Sequence, residues 1–148
     1  PQCHNDCIMR VVLDTDVVVA AMRSPTGASA ALLDAAIDGR VTLVANVALM
    51  LEYEATCSRA EHLLASGLSR EQLTVFLDGV AALIEPVGSH FVWRPMLRDP
   101  GDEMVLEAAV NGAARAIVTF NLRDYGNDPA TFGIRVLLPR DALRSLKT

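Results

Sequence analysis

From Arg10 onward, short apolar runs alternate with segments of helical spacing. Arg10 to Leu13 is rich in β-branched valine, suits a buried parallel strand, and ends on Asp14. Ser24-Pro25-Thr26-Gly27 then breaks the chain. Ser29 to Ile37 sets Ala31, Leu32, Ala35 and Ala36 at helical spacing, with Gly39 as the stop signal. Val41 to Ala45 predicts a second strand, and Asn46 caps a helix running to about Ala60. Ser69 to Ile84 predicts another helix, with Ser69 as N-cap and Gln72 as its capping-box partner. Phe91 to Trp93 predicts a short strand among Pro86, Gly88 and Pro95. Asp99-Pro100-Gly101-Asp102 opens a helix that closes near Asn111-Gly112. Ala116 to Phe120 and Arg135 to Leu138 predict two more strands, and Asp141 to Leu146 a terminal helix. Strands separated by helices define an α/β domain whose mainly parallel sheet is covered on both faces.

Pro1 to Ile8 is polar and patternless and reads as a disordered tail, which assigns one domain to residues 9–148. A chain of 148 residues has room for a single ordinary domain, and 51% apolar residues give it a core to bury. The longest apolar run, Val17 to Met22, is far short of the ~18 residues of a membrane helix. With no secretory signal pattern and only three cysteines, the chain reads as a cytoplasmic protein with reduced thiols. Cys3, His4 and Cys7 are too few for a closed zinc site. Thirteen basic against eighteen acidic residues leave a net charge of −5, which argues against a general polyanion coat but allows a local basic groove. Twelve of the thirteen cations are arginine. Arginine suits bidentate phosphate contact, although codon composition explains the bias equally in a chain with 21 alanines.

In parallel sheets ligands gather beyond the carboxyl ends of the strands. Asp14 and Asp16 follow the first strand, and Asn121 and Asp124 follow the Ala116–Phe120 strand. Asp102 opens the helix feeding that strand, and Glu52 lies about two turns into the helix after the second. Oxygen-only ligands suit Mg²⁺ or Mn²⁺, which activate water and stabilise a leaving oxygen. Each acid also has a plain structural reading. Asp16 serves equally as a turn or helix cap, Asp99 reads first as a cap, and Asp102 is good helix-start chemistry.

Four blocks in order carry a family resemblance: residues 11–21 (Val-Val-Leu-Asp-Thr-Asp-Val-Val-Val-Ala-Ala), 51–59 (Leu-Glu-Tyr-Glu with Ser-Arg), 99–110 (Asp-Pro-Gly-Asp-Glu-Met-Val-Leu-Glu-Ala-Ala-Val) and 117–125 (Ile-Val-Thr-Phe-Asn-Leu-Arg-Asp-Tyr). Over roughly Met9 to Leu138 the chain resembles PIN-domain proteins, most of all the toxin components of bacterial toxin–antitoxin pairs. The resemblance implies a three-layer α/β/α sandwich and a Mg²⁺- or Mn²⁺-dependent ribonuclease. It maps the family's acids onto Asp14, Glu52 and Asp102, the three implied metal ligands, with Asp16 in the position two after the first. The fourth position, often Asp in the family, is Asn121, and Asp124 is the candidate to replace it. Thr119 is implied to orient a carboxylate or a water. RNA as substrate, a small antitoxin and a homodimer are the implied partners, the dimer drawing on Leu73, Phe76, Leu77 and Val80.

Two other readings compete. Asp14-Thr15-Asp16-Val17-Val18 fits the start of haloacid-dehalogenase-like phosphatases with Asp14 as nucleophile, but the single lysine, Lys147, is badly placed for that chemistry. A PIN-like module that binds RNA or protein without cleaving is the other. No Gly-x-x-x-x-Gly-Lys phosphate loop and no Gly-x-Ser-x-Gly elbow occur.

Overall fold

A computed structural model describes residues 8–88 and 99–146. The expected tail with Cys3, His4 and Cys7, the expected strand over Phe91–Trp93, and Lys147 lie outside the described residues. Strands β1 (Met9–Leu13), β2 (Val41–Ala45), β3 (Ile84–Pro86), β4 (Ala116–Val118) and β5 (Arg135–Leu137) form one sheet. Its order is β3-β2-β1-β4-β5, and every pairing is parallel. Seven α-helices are described: α1 (Thr15–Arg23), α2 (Ala28–Ile37), α3 (Val47–Cys57), α4 (Ala60–Ser66), α5 (Arg70–Leu83), α6 (Pro100–Asn111) and α7 (Pro139–Arg144). This is the expected three-layer α/β/α arrangement.

The sheet is apolar on both sides, as parallel sheets between helices must be. Val11, Val12, Leu13, Leu43, Val44, Ile117 and Val118 are all buried, with no alternation along the strands. The chain runs from β1 outward through β2 to β3 and then crosses to β4 on the other side of β1. The order therefore reverses between β1 and β4, where crevices open in such sheets. Asp14 and Thr119 stand side by side there. The Asp14 amide donates to the Val118 carbonyl at 2.8 Å, and the Thr119 amide to Leu137 at 2.9 Å.

Several boundaries differ from the sequence expectations, each for a local reason. Thr15–Arg23 carries three consecutive valines, which suggest no helix; it is one because Asp14 caps it and Val17 and Val18 bury against the core. The helix begun at Asn46 stops at Cys57, and α4 starts afresh with Arg59 as N-cap and Gly67, at φ +72°, as its left-handed close. Ile84 leaves α5 and joins β3 beside Leu43. Phe120 leaves the β4 ladder, and the last helix begins at Pro139, earlier than Asp141. The Ser69–Gln72 capping box forms as expected.

Candidate active site at the sheet switch point

Asp14 is the centre of the site and is only 9% exposed. As N-cap of α1 it accepts the Thr15 amide on Oδ1 at 2.7 Å. Its Oδ2 accepts the Thr119 hydroxyl at 2.8 Å and the Tyr125 hydroxyl at 3.0 Å. Thr119 Oγ1 in turn accepts the Asn121 amide at 3.0 Å, fixing the direction of its own proton. Both Asp14 oxygens thus accept hydrogen bonds, which fix the orientation of the carboxylate. Burial raises the Asp14 pKa above its ordinary 3.8, overcoming the three hydrogen bonds that favour the charged form; Asp124 adds to the rise.

Asp16 sits in the first turn of α1 and is not the cap. Its Oδ2 accepts the Phe120 amide and the Asn121 side-chain amide, each at 3.1 Å. Its Oδ1 is buried with no hydrogen-bond partner. Burial first, and the Asp14 charge second, push its pKa up to about 6. Asp102 lies in the first turn of α6 behind the cap Asp99, whose Oδ1 accepts the Gly101 amide at 2.7 Å. Its pKa is also raised to about 6, by burial and then by Asp14, Asp99 and Asp124, while the nearby Tyr125 hydroxyl resists the shift. Asp124 is exposed in the short 3₁₀ turn Leu122–Tyr125 and presses on both Asp14 and Asp102. In this turn, then, Asn121 donates to Asp16 and Asp124 is the acid.

Glu52 stands apart. It lines a groove with Asp16, and its Oε2 accepts the hydroxyl of Thr56, one helical turn on, at 3.1 Å. Among the described residues no three His, Cys, Asp or Glu side chains are gathered so as to hold a metal ion. Glu54, two positions on, is exposed and lines a different cavity, beside Val47 and Leu77.

Two tyrosines complete the site that the sequence reading quoted but gave no role. Tyr125 is fully buried with its hydroxyl on Asp14, and buried Tyr53 donates to the Leu13 carbonyl at the end of β1. Burial, reinforced by the Asp14 charge, raises the pKa of both phenols, so each remains a protonated donor. The available signal was burial itself, because a buried tyrosine needs a partner for its hydroxyl. Asn46, 6% exposed, accepts the Leu49 amide at 2.8 Å and donates to the Met104 carbonyl at 3.2 Å, tying α3 to the helix that carries Asp102.

Among the described residues, no basic side chain forms an ion pair with the acids at the switch point of this parallel α/β sheet. The family model of the PIN domain matches residues 10–123, and the chain belongs to that family. A solved structure with the same fold is VapBC2 from Rickettsia felis bound to a DNA fragment from their promoter. It aligns with a TM-score of 0.60 over 87% of this chain and 98% of that chain, at 15% identity. No curated protein matches the sequence.

Proposed function

We propose that this chain is a Mg²⁺- or Mn²⁺-dependent ribonuclease and the toxin of a bacterial toxin–antitoxin pair, acting in the cytoplasm. The observation that carries the reading is the set of buried or half-buried acids round Asp14, held at raised pKa with no cationic side chain in an ion pair with them among the described residues. Such a set costs the fold free energy unless something positive enters. The donors fit a hard divalent cation in kind: all are oxygens, and Asp16 Oδ1 is a buried acceptor with nothing to accept. With no three ligands gathered, the fit is to an ion held by one or two carboxylates and completed by water, the ordinary habit of Mg²⁺.

Asp14 and Asp102 would hold the ion, with Asp124 and Asp16 beside them. When bound, the ion would lower the pKa of an attacking water and neutralise charge developing on the phosphodiester. Thr119 and Tyr125 keep Asp14 Oδ2 from turning, and Asn121 holds Asp16 in place. Glu52 is the one acid facing the groove whose carboxylate lies off the central group, which suits it to accept a proton from water entering there. VapBC2 is a complex bound to DNA in its solved form, and its likeness supports a small antitoxin as partner here. A homodimer belongs to the same proposal. Leu73 and Val80 are core, so its support shifts to Ile37 and Val75, 66% and 71% exposed along one apolar groove.

The test is cleavage of a structured RNA with EDTA, Mg²⁺ or Mn²⁺. Wild type cuts only with the metals, and Asp14→Asn and Asp102→Asn each lose about 100-fold or more. Tyr53→Phe, whose hydroxyl serves the backbone, keeps activity. Equal cutting by the Asp14→Asn protein sinks the assignment.

A further inference from the structure

The groove that Asp16 and Glu52 face has an oppositely charged far end. It encloses about 570 Å³, and its basic lining is Arg23, Arg59 and His62. On α1 the stripe runs Asp16, Val19, Ala20, Arg23, one face of a helix. Seven residues at 1.5 Å each separate its acid from its arginine by about 10 Å. The other wall repeats the order, with Glu52 in α3 and Arg59 just past that helix. Arg23 Nη1 lies 3.5 Å from His62 Nδ1, so the basic groups are gathered rather than scattered. Neither arginine is in an ion pair among the described residues. Phe120 lines the same groove at its acidic end, 48% exposed, with its amide on Asp16.

We propose that Arg23, Arg59 and His62 hold a backbone phosphate of single-stranded RNA a few nucleotides from the phosphodiester at the acidic end, with Phe120 stacking on a base between. This rests on the nuclease reading and adds the strand's path and form. A chain of net charge −5 repels RNA at long range, so a substrate needs a local cationic anchor. Two unpaired guanidiniums present forks that match phosphate oxygens. The separation of about 10 Å exceeds the ~3.4 Å rise of one nucleotide, so the anchored phosphate is not the one at the acidic end. An exposed ring stacks only on bases that are not already paired, which selects single strands.

The experiment is fluorescence anisotropy with a labelled octauridylate and with an RNA duplex of equal length. It uses wild type in EDTA and the cleavage-silent Asp14→Asn protein in Mn²⁺. Removing both arginine charges (Arg23→Gln with Arg59→Gln) is expected to raise Kd about 10- to 100-fold and to flatten the log Kd against log salt slope by about 0.7, the share of one phosphate on a single strand. Phe120→Ala is expected to cost about tenfold on the single strand and little on the duplex. All three residues are exposed, so unchanged melting curves certify the fold. If RNA binds but the double variant keeps both Kd and slope, the phosphate subsite is wrong and the nuclease reading stands. If no RNA binds to either protein, the nuclease reading itself falls. Tighter binding of a hexaglutamate peptide than of the RNA, lost in the double variant, would assign the arginines to an acidic protein partner and overturn the RNA path.

Discussion

Replacing Asp102 by Asn removes one charge from the acidic centre while keeping the side chain's size. Its carboxyl is raised from 3.8 to about 6, roughly two units, which at ~1.36 kcal/mol per unit is about 3 kcal/mol of cost when ionised. Asp102 is only half-buried, and solvent screening reduces that to about 1.5 kcal/mol. Against it stands the loss of a negative charge at the start of α6, about 0.5 kcal/mol. The net gain of about 1 kcal/mol raises Tm by about 2–4 °C for a chain of this size at pH 7.5 in EDTA. A carboxyl with a raised folded pKa favours the fold most while protonated. That contribution is complete below about pH 4 and is lost by about pH 6. The advantage of Asp102→Asn should therefore vanish at pH 4. Saturating Mn²⁺ should stabilise wild type by about 2.7 kcal/mol at 100 times its Kd, and the variant by less. Thermal melts at both pH values, with and without Mn²⁺, decide the matter. A variant that melts below wild type at pH 7.5, or whose Mn²⁺ increment is unchanged, makes Asp102 a helix-start residue and refutes the reasoning.

Tyr125→Phe deletes one of the two hydroxyls on Asp14 Oδ2 inside the core; it should cost about 1–3 kcal/mol in urea unfolding and shift metal-dependent cleavage to higher pH. Gly112→Ala should cost a similar amount, because its Cβ would sit 2.9 Å from the Ala108 carbonyl oxygen and 3.1 Å from both Val44 and Val87; a variant as stable as wild type would show that the β2–α6 packing yields easily. Asn121→Asp exchanges the donor to Asp16 for a second charge, so it should lower Tm in EDTA and, by isothermal titration, tighten Mn²⁺.

How far the sequence carries the fold follows from what each element depends on. Val11-Val12-Leu13, Leu43-Val44 and Ile117-Val118 read as strands because strands buried on both faces are continuous apolar runs, and the Ser69 and Asp99 starts read as helices because their caps are local chemistry. The helix Thr15–Arg23 was not legible. Its valines favour a strand by propensity, and what overrides them is the Asp14 cap together with packing against residues far along the chain. Three-residue β3 has no signature of its own and exists because β2 offers an edge. At the site, the acids were legible from their places after strands and at a helix start. The partners were not: Thr119 and Tyr125 reach Asp14 across 105 and 111 residues, separations no local pattern reports. Glu52 differs in kind, since its side-chain partner, Thr56, lies one helical turn away.

The same partners decide which Asp14 variant is informative. Asp14→Ala strips the α1 cap, about 1 kcal/mol, and leaves the hydroxyls of Thr119 and Tyr125, both 0% exposed, without their acceptor. Each orphaned hydroxyl costs about 1–3 kcal/mol, partly offset by removal of a buried charge, so a net loss near 2 kcal/mol is expected. Activity lost in that protein is confounded with a weakened fold. Asp14→Asn keeps the cap, because Asn serves an N-cap as well as Asp. Its amide nitrogen, placed where Oδ2 was, can donate to the Tyr125 oxygen. The charge whose burial raises the Asp14 pKa is gone. The Asn variant should therefore match wild type near pH 4 and melt above it as pH rises in EDTA, the gap widening as wild-type Asp14 ionises. Melting curves that coincide at every pH would mean that Asp14 carries its charge at no cost and that the acids round it are not poised for a cation. A gap that opens with pH, alongside abolished cleavage, separates the loss of chemistry from the loss of structure.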